Sequence, residues 1–269
     1  MSRKPVTWAR RLERWRKRAR TAKRVMRATP PLARILLGLT LAAGLFLLAN
    51  LIYHVIRKPT EMLFPVSGVL KKSPEETWRE YGPMFRDYST ANISAELLAA
   101  LAQIEGAGDP IAHTYWRWRL AWPPFEMYKP ASSAVGMYQM TDGTFADAAR
   151  YCIRDHIVIE RASGSCWSEE LYNRLLPSHS IELTAAHLDR SVAAILGPKA
   201  EAKATAKQKQ DLAALIHLCG AGAARDFARR GFKLAPGEMC GDHLAERYVG
   251  RVEMMLRLFQ EMAHRAPAR

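Results

Sequence analysis

Glu105 is the residue of this sequence whose placement most invites chemistry. It closes the run AELLAALAQIE (95–105), in which Leu97, Leu98, Leu101 and Ala102 share one helical face. Glu105 falls four residues after Leu101 and seven after Leu98, so it extends that apolar stripe just before Gly106 ends the helix. A carboxyl carried onto an apolar face is costly to ionise without a partner, and the usual response is a raised pKa. A carboxyl that keeps its proton near neutral pH is suited to donate it to an oxygen leaving group, as a general acid. Ser94 is positioned to cap this helix. On helix geometry alone, an ordinary surface carboxylate at a frayed helix end fits the same residues.

A second stretch adds to the case. From Ser132 the chain reads SSAVGMYQMTDGTFADAARYC: small residues around Gly136, an apolar pair, Gln139, and a capped helix start at Thr141. A Glu closing a helix, followed by Ala134-Val135-Gly136-Met137-Tyr138-Gln139, resembles the soluble-type lytic transglycosylases, relatives of goose-type lysozyme. Their second element reads Gly-Ala-x-Gly-Leu-Met-Gln, with Ser133 here in place of its first Gly. Their Asn-Ile-x-x-Gly-x-x-Tyr-Leu element is echoed by 180–188 (SIELTAAHL), and their Ala-Tyr-Asn-x-Gly by 216–220 (IHLCG). Tyr248-Val249 fits the family's closing helix. The resemblance covers about residues 90–260, and its first two elements are the more specific. Gly106 departs from the Ser that commonly follows the Glu, and His217-Leu218 departs from Tyr-Asn, whose Tyr helps orient the Glu.

The resemblance implies a mainly α, lysozyme-like fold and cleavage of peptidoglycan by a single carboxylate. Glu105 would protonate the oxygen between N-acetylmuramic acid and N-acetylglucosamine. As carboxylate it would then take the proton of the muramyl C6 hydroxyl, closing a 1,6-anhydro ring. Ser133, Gly136, Met137, Tyr138, Gln139, His217 and Tyr248 are the substrate-binding candidates, with no metal or cofactor. The alternatives are a hydrolytic lysozyme using the same Glu105, in which a second carboxylate would ordinarily serve, and an inactive glycan-binding scaffold of an envelope complex. Asp109 and Glu126 are the nearest candidates for that second acid, and Glu182 sits on a helical face. The 31 positions between Glu105 and Gly136 hold an insertion, YWRWRLAWPPFEMY (115–128). Its Trp116, Trp118 and Trp122 either stack on sugar faces or join the core, while Arg117 and Arg119 could meet glycan or peptide carboxylates.

The elements that must position these residues follow a distinctive N-terminal part. The net charge of +14 suggests a nucleic-acid binder until it is located. Residues 1–34 carry thirteen Lys/Arg against Glu13 alone, while the chain from Pro59 onward balances 25 Lys/Arg with 25 Asp/Glu. The basicity therefore belongs to an arm, and the rest has no strong electrostatic claim on nucleic acid. Residues 35–56 are 22 in number without a charged Asp, Glu, Lys or Arg, long enough at about 1.5 Å per residue to cross a hydrocarbon core of about 30 Å. They read as an uncleaved anchor, because a signal peptide has a shorter apolar core and a small-residue cleavage site. Thirteen positive residues before the span and Arg57 and Lys58 after it predict a cytoplasmic N-terminus and an extracytoplasmic remainder at the inner membrane. In the arm, Trp8, Leu12 and Trp15 share a helical stripe. That segment either lies on the anionic inner leaflet or serves only to set topology.

All four cysteines fall in the exported part, which fits two disulfides. Of three connectivities, the short loops favour Cys152 with Cys166 and Cys219 with Cys240. The predicted organisation is a basic arm (1–34), a span (35–56), a linker with a leading helix (57–89), and one mainly α domain (90–264). A capping box at Ser73-Pro74-Glu75-Glu76 starts the leading helix, and Gly82-Pro83 is expected to stop it. Further helices are expected at 142–153, 168–176, 180–196, 201–218, 222–230 and 242–264, and strands near 134–140 and at 157–160.

Overall fold

The computed structural model describes residues 8–161, Cys166 and residues 173–265. The chain forms two compact units, Met1–Pro59 and Thr60–Arg269.

The first unit holds two helices. Helix α1 (Trp8–Ala28) is strongly basic, and its Trp8 and Trp15 are exposed. Pro30 separates it from α2 (Pro31–Arg57), which starts with Pro at its first position, where a missing N–H costs nothing. Helix α2 is long and apolar enough to cross a membrane, and Leu36, Leu39, Leu41, Leu45 and Leu48 along it are exposed.

Among the described residues the second unit holds six α-helices, five long and one short. Helix α3 (Pro74–Asp87) begins with the expected capping box: Ser73 Oγ accepts from Glu76 N, and the Glu76 carboxylate accepts from Ser73 N. The helix does not stop at Gly82-Pro83 but continues four residues further. Trp78, Tyr81 and Phe85 bury its inner face, with Trp78 packed on Phe85 and on Phe259, and that burial outweighs the hydrogen bond Pro83 cannot make. The leading helix is thus part of the core rather than an appendage to a linker.

Helix α4 (Ala95–Gly106) is capped by Ser94, whose Oγ accepts from Leu97 N. Ala95 and Leu97 to Ala102 are all buried, so α4 is the central rod of the unit, packed against α3, α6 and α8. Around it lie α6 (Pro177–Lys203), α7 (Ala206–Arg229) and α8 (Ala245–Arg265). Gly197 kinks α6 and Gly220 kinks α7, each at positive φ.

Three antiparallel ribbons complete the unit. The 115–128 insertion forms β1 (Trp116–Trp118), paired with β2 (Tyr128–Pro130) in the register Trp116↔Pro130 and Trp118↔Tyr128. The stretch expected as helix over 142–153 divides into α5 (Asp142–Ala148) and β3 (Tyr151–Arg154), which pairs with β4 (Ile157–Glu160). β5 (Met239–Cys240) pairs with β6 (His243–Leu244), which runs directly into α8. The helix expected at 168–176 lies mostly outside the described residues, and Asn173–Leu176 is not helical. Nor is 134–140 a strand: Val135 and Met140 bridge each other across a closed turn. Disulfides join Cys152 to Cys166 and Cys219 to Cys240, with Cα atoms 6.0 and 5.2 Å apart, the connectivity that the short loops favour.

Candidate active site

Helix α4 stops one residue after Glu105. Ala107 turns left-handed at φ 50, its N–H donates to Gln103 O, and Gly108 N donates to Ala102 O, which satisfies the last carbonyls. The Glu105 side chain emerges there, 19% exposed, where the buried rod meets the surface. It is therefore not sunk into the core, as the apolar stripe taken alone suggests. The helix ends before its face is fully covered.

Two side chains meet this carboxylate. From α8, the Tyr248 hydroxyl donates to Glu105 Oε1 at 2.5 Å. Burial, with the neighbouring Glu105 charge adding to it, holds the Tyr248 phenol well above its usual pKa of 10.0, so it remains a donor. From α7, His217 Nε2 stands 3.8 Å from the same oxygen. Glu105 Oε2 has no hydrogen-bond partner among the described residues, which leaves it available to an incoming group.

The Cys219–Cys240 disulfide bears on this arrangement. Cys219 lies two residues beyond His217, beside the Gly220 kink, and Cys240 lies in the ribbon that feeds α8 and Tyr248. The bond thus ties together the two elements that grip Glu105. His187 of α6, partly buried, lies within electrostatic range of His217. Burial first, and His217 second, depress its pKa below 6.5, with Asp147 opposing.

The 133–142 segment reaches the site through its backbone. A Cβ on Gly106 would lie 2.8 Å from Met137 Cα and 2.9 Å from Met137 O, so the segment presses directly on the end of α4. The contact leaves no room for a side chain at position 106. Gly136 takes φ +81 and its N–H donates to Ala112 O at 2.8 Å, and a Cβ there would strike Arg174 O. Gln139, at φ 46, donates its amide N–H groups to Ala112 O (3.1 Å) and Gly136 O (3.0 Å).

The remaining candidates divide between site and scaffold. Met137 and Tyr138 are fully buried, and the Tyr138 hydroxyl donates to Leu98 O at 3.1 Å; their side chains brace the turn against α4. Ser133 Oγ accepts from Asp142 N. Arg174, which sequence reasoning missed, fastens the same segment by donating to Ser133 O, Met140 O and Asp142 Oδ1. Nothing local marks Arg174 in the sequence, because it gains its meaning from partners at least 30 residues away, whereas His187 falls within the 180–188 stretch that the resemblance singles out.

Asp109 is fully buried and accepts from Gly68 N and Ile111 N. Glu126 pairs with Lys129, and buried Glu182 accepts from Ile153 N. Among the described residues the hydrogen-bond and ion-pair partners of Glu105 are Tyr248 and His217, and no cluster of three or more His, Cys, Asp or Glu could hold a metal.

No protein-family model matches the sequence, and no curated protein matches it.

Proposed function

We propose that this protein is a membrane-anchored lytic transglycosylase that cleaves peptidoglycan between N-acetylmuramic acid and N-acetylglucosamine. The observation that carries the reading is Glu105 itself: a carboxyl at the open end of a buried helix, held on Oε1 by Tyr248 and unpartnered on Oε2. With Tyr248 fixing one oxygen, the proton of the acid form sits on the other, where a glycosidic oxygen would meet it. After transfer the carboxylate is stabilised by the same phenol and takes the proton of the C6 hydroxyl as the 1,6-anhydro ring closes. The turn at Gly136–Gln139 supports this reading by bringing backbone groups against the end of α4, where an N-acetyl sugar would be held. The motif resemblance at Glu105 and 134–139 points the same way.

The anchor would be α2, with the basic arm on the cytoplasmic side and Thr60–Arg269 in the periplasm. Two disulfides in that unit support an oxidising compartment. The partner is then the glycan strand, with nucleic acid disfavoured by the balanced charge of this unit and by the proposed topology; other envelope proteins would share the compartment.

His217 favours a second reading, hydrolysis, since a titratable imidazole 3.8 Å from Glu105 could help activate water. The products separate the two. The full chain in detergent, incubated with purified peptidoglycan, is expected to release muropeptides with 1,6-anhydromuramic ends, one water lighter than lysozyme products. Reducing muramic ends would establish the hydrolase instead, and an intact polymer that still binds the protein would mean a scaffold. Glu105→Gln is expected to lower cleavage by about 10²–10⁴-fold while leaving binding and melting temperature nearly unchanged. Glu126→Gln should cost far less. A Glu105→Gln variant as fast as wild type would remove the central residue from the mechanism.

A further inference from the structure

The β1–β2 hairpin presents an apolar surface that the site does not use. Leu120 is 94% exposed, Trp122 87%, Tyr115 64% and Trp118 61%. Arg117 and Arg119 are exposed beside them, and neither has a carboxylate partner among the described residues, whereas Lys129 is paired with Glu126. Exposed apolar residues gathered at one place mark a surface that meets something.

The root of the hairpin is fixed to the first residues after α2. The ring nitrogens of His113 stand 2.7 Å from Ile111 O and 2.9 Å from Thr60 O, and His113 N donates to Ser67 Oγ. The Phe64 and Trp116 rings are 5.0 Å apart at their centroids. Thr60 follows Arg57, the last residue of α2, by three positions, so chain length alone keeps them within about 10 Å. The chain thus tethers the hairpin's root within reach of any membrane that α2 crosses.

We infer that the hairpin tip is a lipid-contacting element, inserting Trp118, Leu120 and Trp122 among the headgroups of an anionic leaflet while Arg117 and Arg119 meet lipid phosphates. Tryptophan favours the membrane–water boundary and arginine favours phosphate, so both residue types fit this place. A glycan is the poorer occupant. One face of Trp118 is already stacked on Tyr128 at 4.7 Å, and the aliphatic Leu120 has no flat face to set against a sugar ring. The hairpin would hold the second unit against the membrane as a second attachment beside α2. This inference rests on α2 crossing a membrane, as proposed above.

The test uses the full chain carrying Ala121→Cys. All four native cysteines are in disulfides, so position 121 alone takes an environment-sensitive fluorophore. The protein is reconstituted into vesicles of phosphatidylethanolamine and phosphatidylglycerol, and separately into phosphatidylcholine alone. Alkaline carbonate extraction reports independently on α2. In the anionic vesicles the label is expected to emit at shorter wavelength and to be quenched by nitroxides placed just below the headgroups. Arg117→Glu with Arg119→Glu should lower that quenching several-fold, as should phosphatidylcholine. A label that stays in water while the chain resists extraction overturns the inference and leaves the anchor standing. A chain that is extracted removes the anchor and the inference with it. Shielding that appears only on adding soluble glycan strands overturns the inference in favour of a sugar-binding surface.

Discussion

Helices α2 and α4 have nearly the same chemistry and opposite surroundings. Each is predominantly apolar, a pattern that demands either a protein core or a bilayer. In α4, Leu97, Leu98 and Leu101 are fully buried by neighbouring helices; in α2, Leu36, Leu41 and Leu45 are exposed. Composition declares only that both need an apolar environment. Length and flanks decide which: at about 1.5 Å per residue, the 12 residues of α4 fall well short of a bilayer, and the 27 of α2 exceed it. Length also determines what the ends can do. Helix α4 stops where its covering stops, and that is why a carboxylate on its apolar face reaches solvent at all.

The sharpest way to break this comparison is to remove the same atoms from both helices. Leu98→Ala opens a cavity in the core of the second unit and is expected to cost about 2–5 kcal/mol. Leu45 is 60% exposed, so Leu45→Ala removes little packing. Thermal unfolding in detergent, followed by near-ultraviolet circular dichroism, should show a large drop for the first and no change for the second. Equal losses would mean that α2 is a core helix and its exposure misleading.

The glycines of the two helices form a second pair. An added Cβ at Gly106 meets Met137 Cα at 2.8 Å, while one at Gly44 meets nothing within 4 Å. The Met137 contact is backbone and cannot swing aside. Gly106→Ala is therefore expected to cost about 1–3 kcal/mol by overpacking, and to lower peptidoglycan cleavage more than that loss explains, because Glu105 is its neighbour. Gly44→Ala should be neutral or mildly favourable, given the helix propensity of Ala. If Gly106→Ala melts and cleaves like wild type, the Met137 contact does not set the position of Glu105.

What could be read in advance follows the same division between local and distant causes. The caps at Ser73 and Ser94, the end of α4, the long apolar helix α2 and the disulfide pairs are written in short windows, since each depends on neighbours within a few turns or one short loop. The run of α3 through Pro83 was not, because the gain comes from Trp78 and Phe85 packing with a helix almost two hundred residues away. The split of 142–153 into α5 and β3 escaped a periodicity argument because Glu182, from α6, accepts the Ile153 N–H. At the site, Glu105 stood out by its spacing. The inward turn of Tyr138, the clasp of Arg174 and the approach of His217 depend on how α4, α6, α7 and α8 meet.

The smallest expected effect tests that last dependence through pH. His187 has its pKa depressed below 6.5, first by burial and then by its neighbour His217, with Asp147 of α5 pulling the other way. The unfolded chain takes up the imidazole proton as pH falls through 6.5, and the folded chain resists it until lower pH. The stability this neutral histidine allows is present above about 6.5 and is lost as the pH drops through the folded pKa. Melting temperature should therefore decline across that window, on top of any change from carboxylates. His187→Gln removes the titration, so the mutant's curve should be flatter there than the wild type's. Because His187 and His217 interact electrostatically, any pH dependence of cleavage should shift as well, a change that a packing role alone would not produce. Curves that stay parallel in both measurements would show that the α6–α7 contact carries no proton linkage to the site.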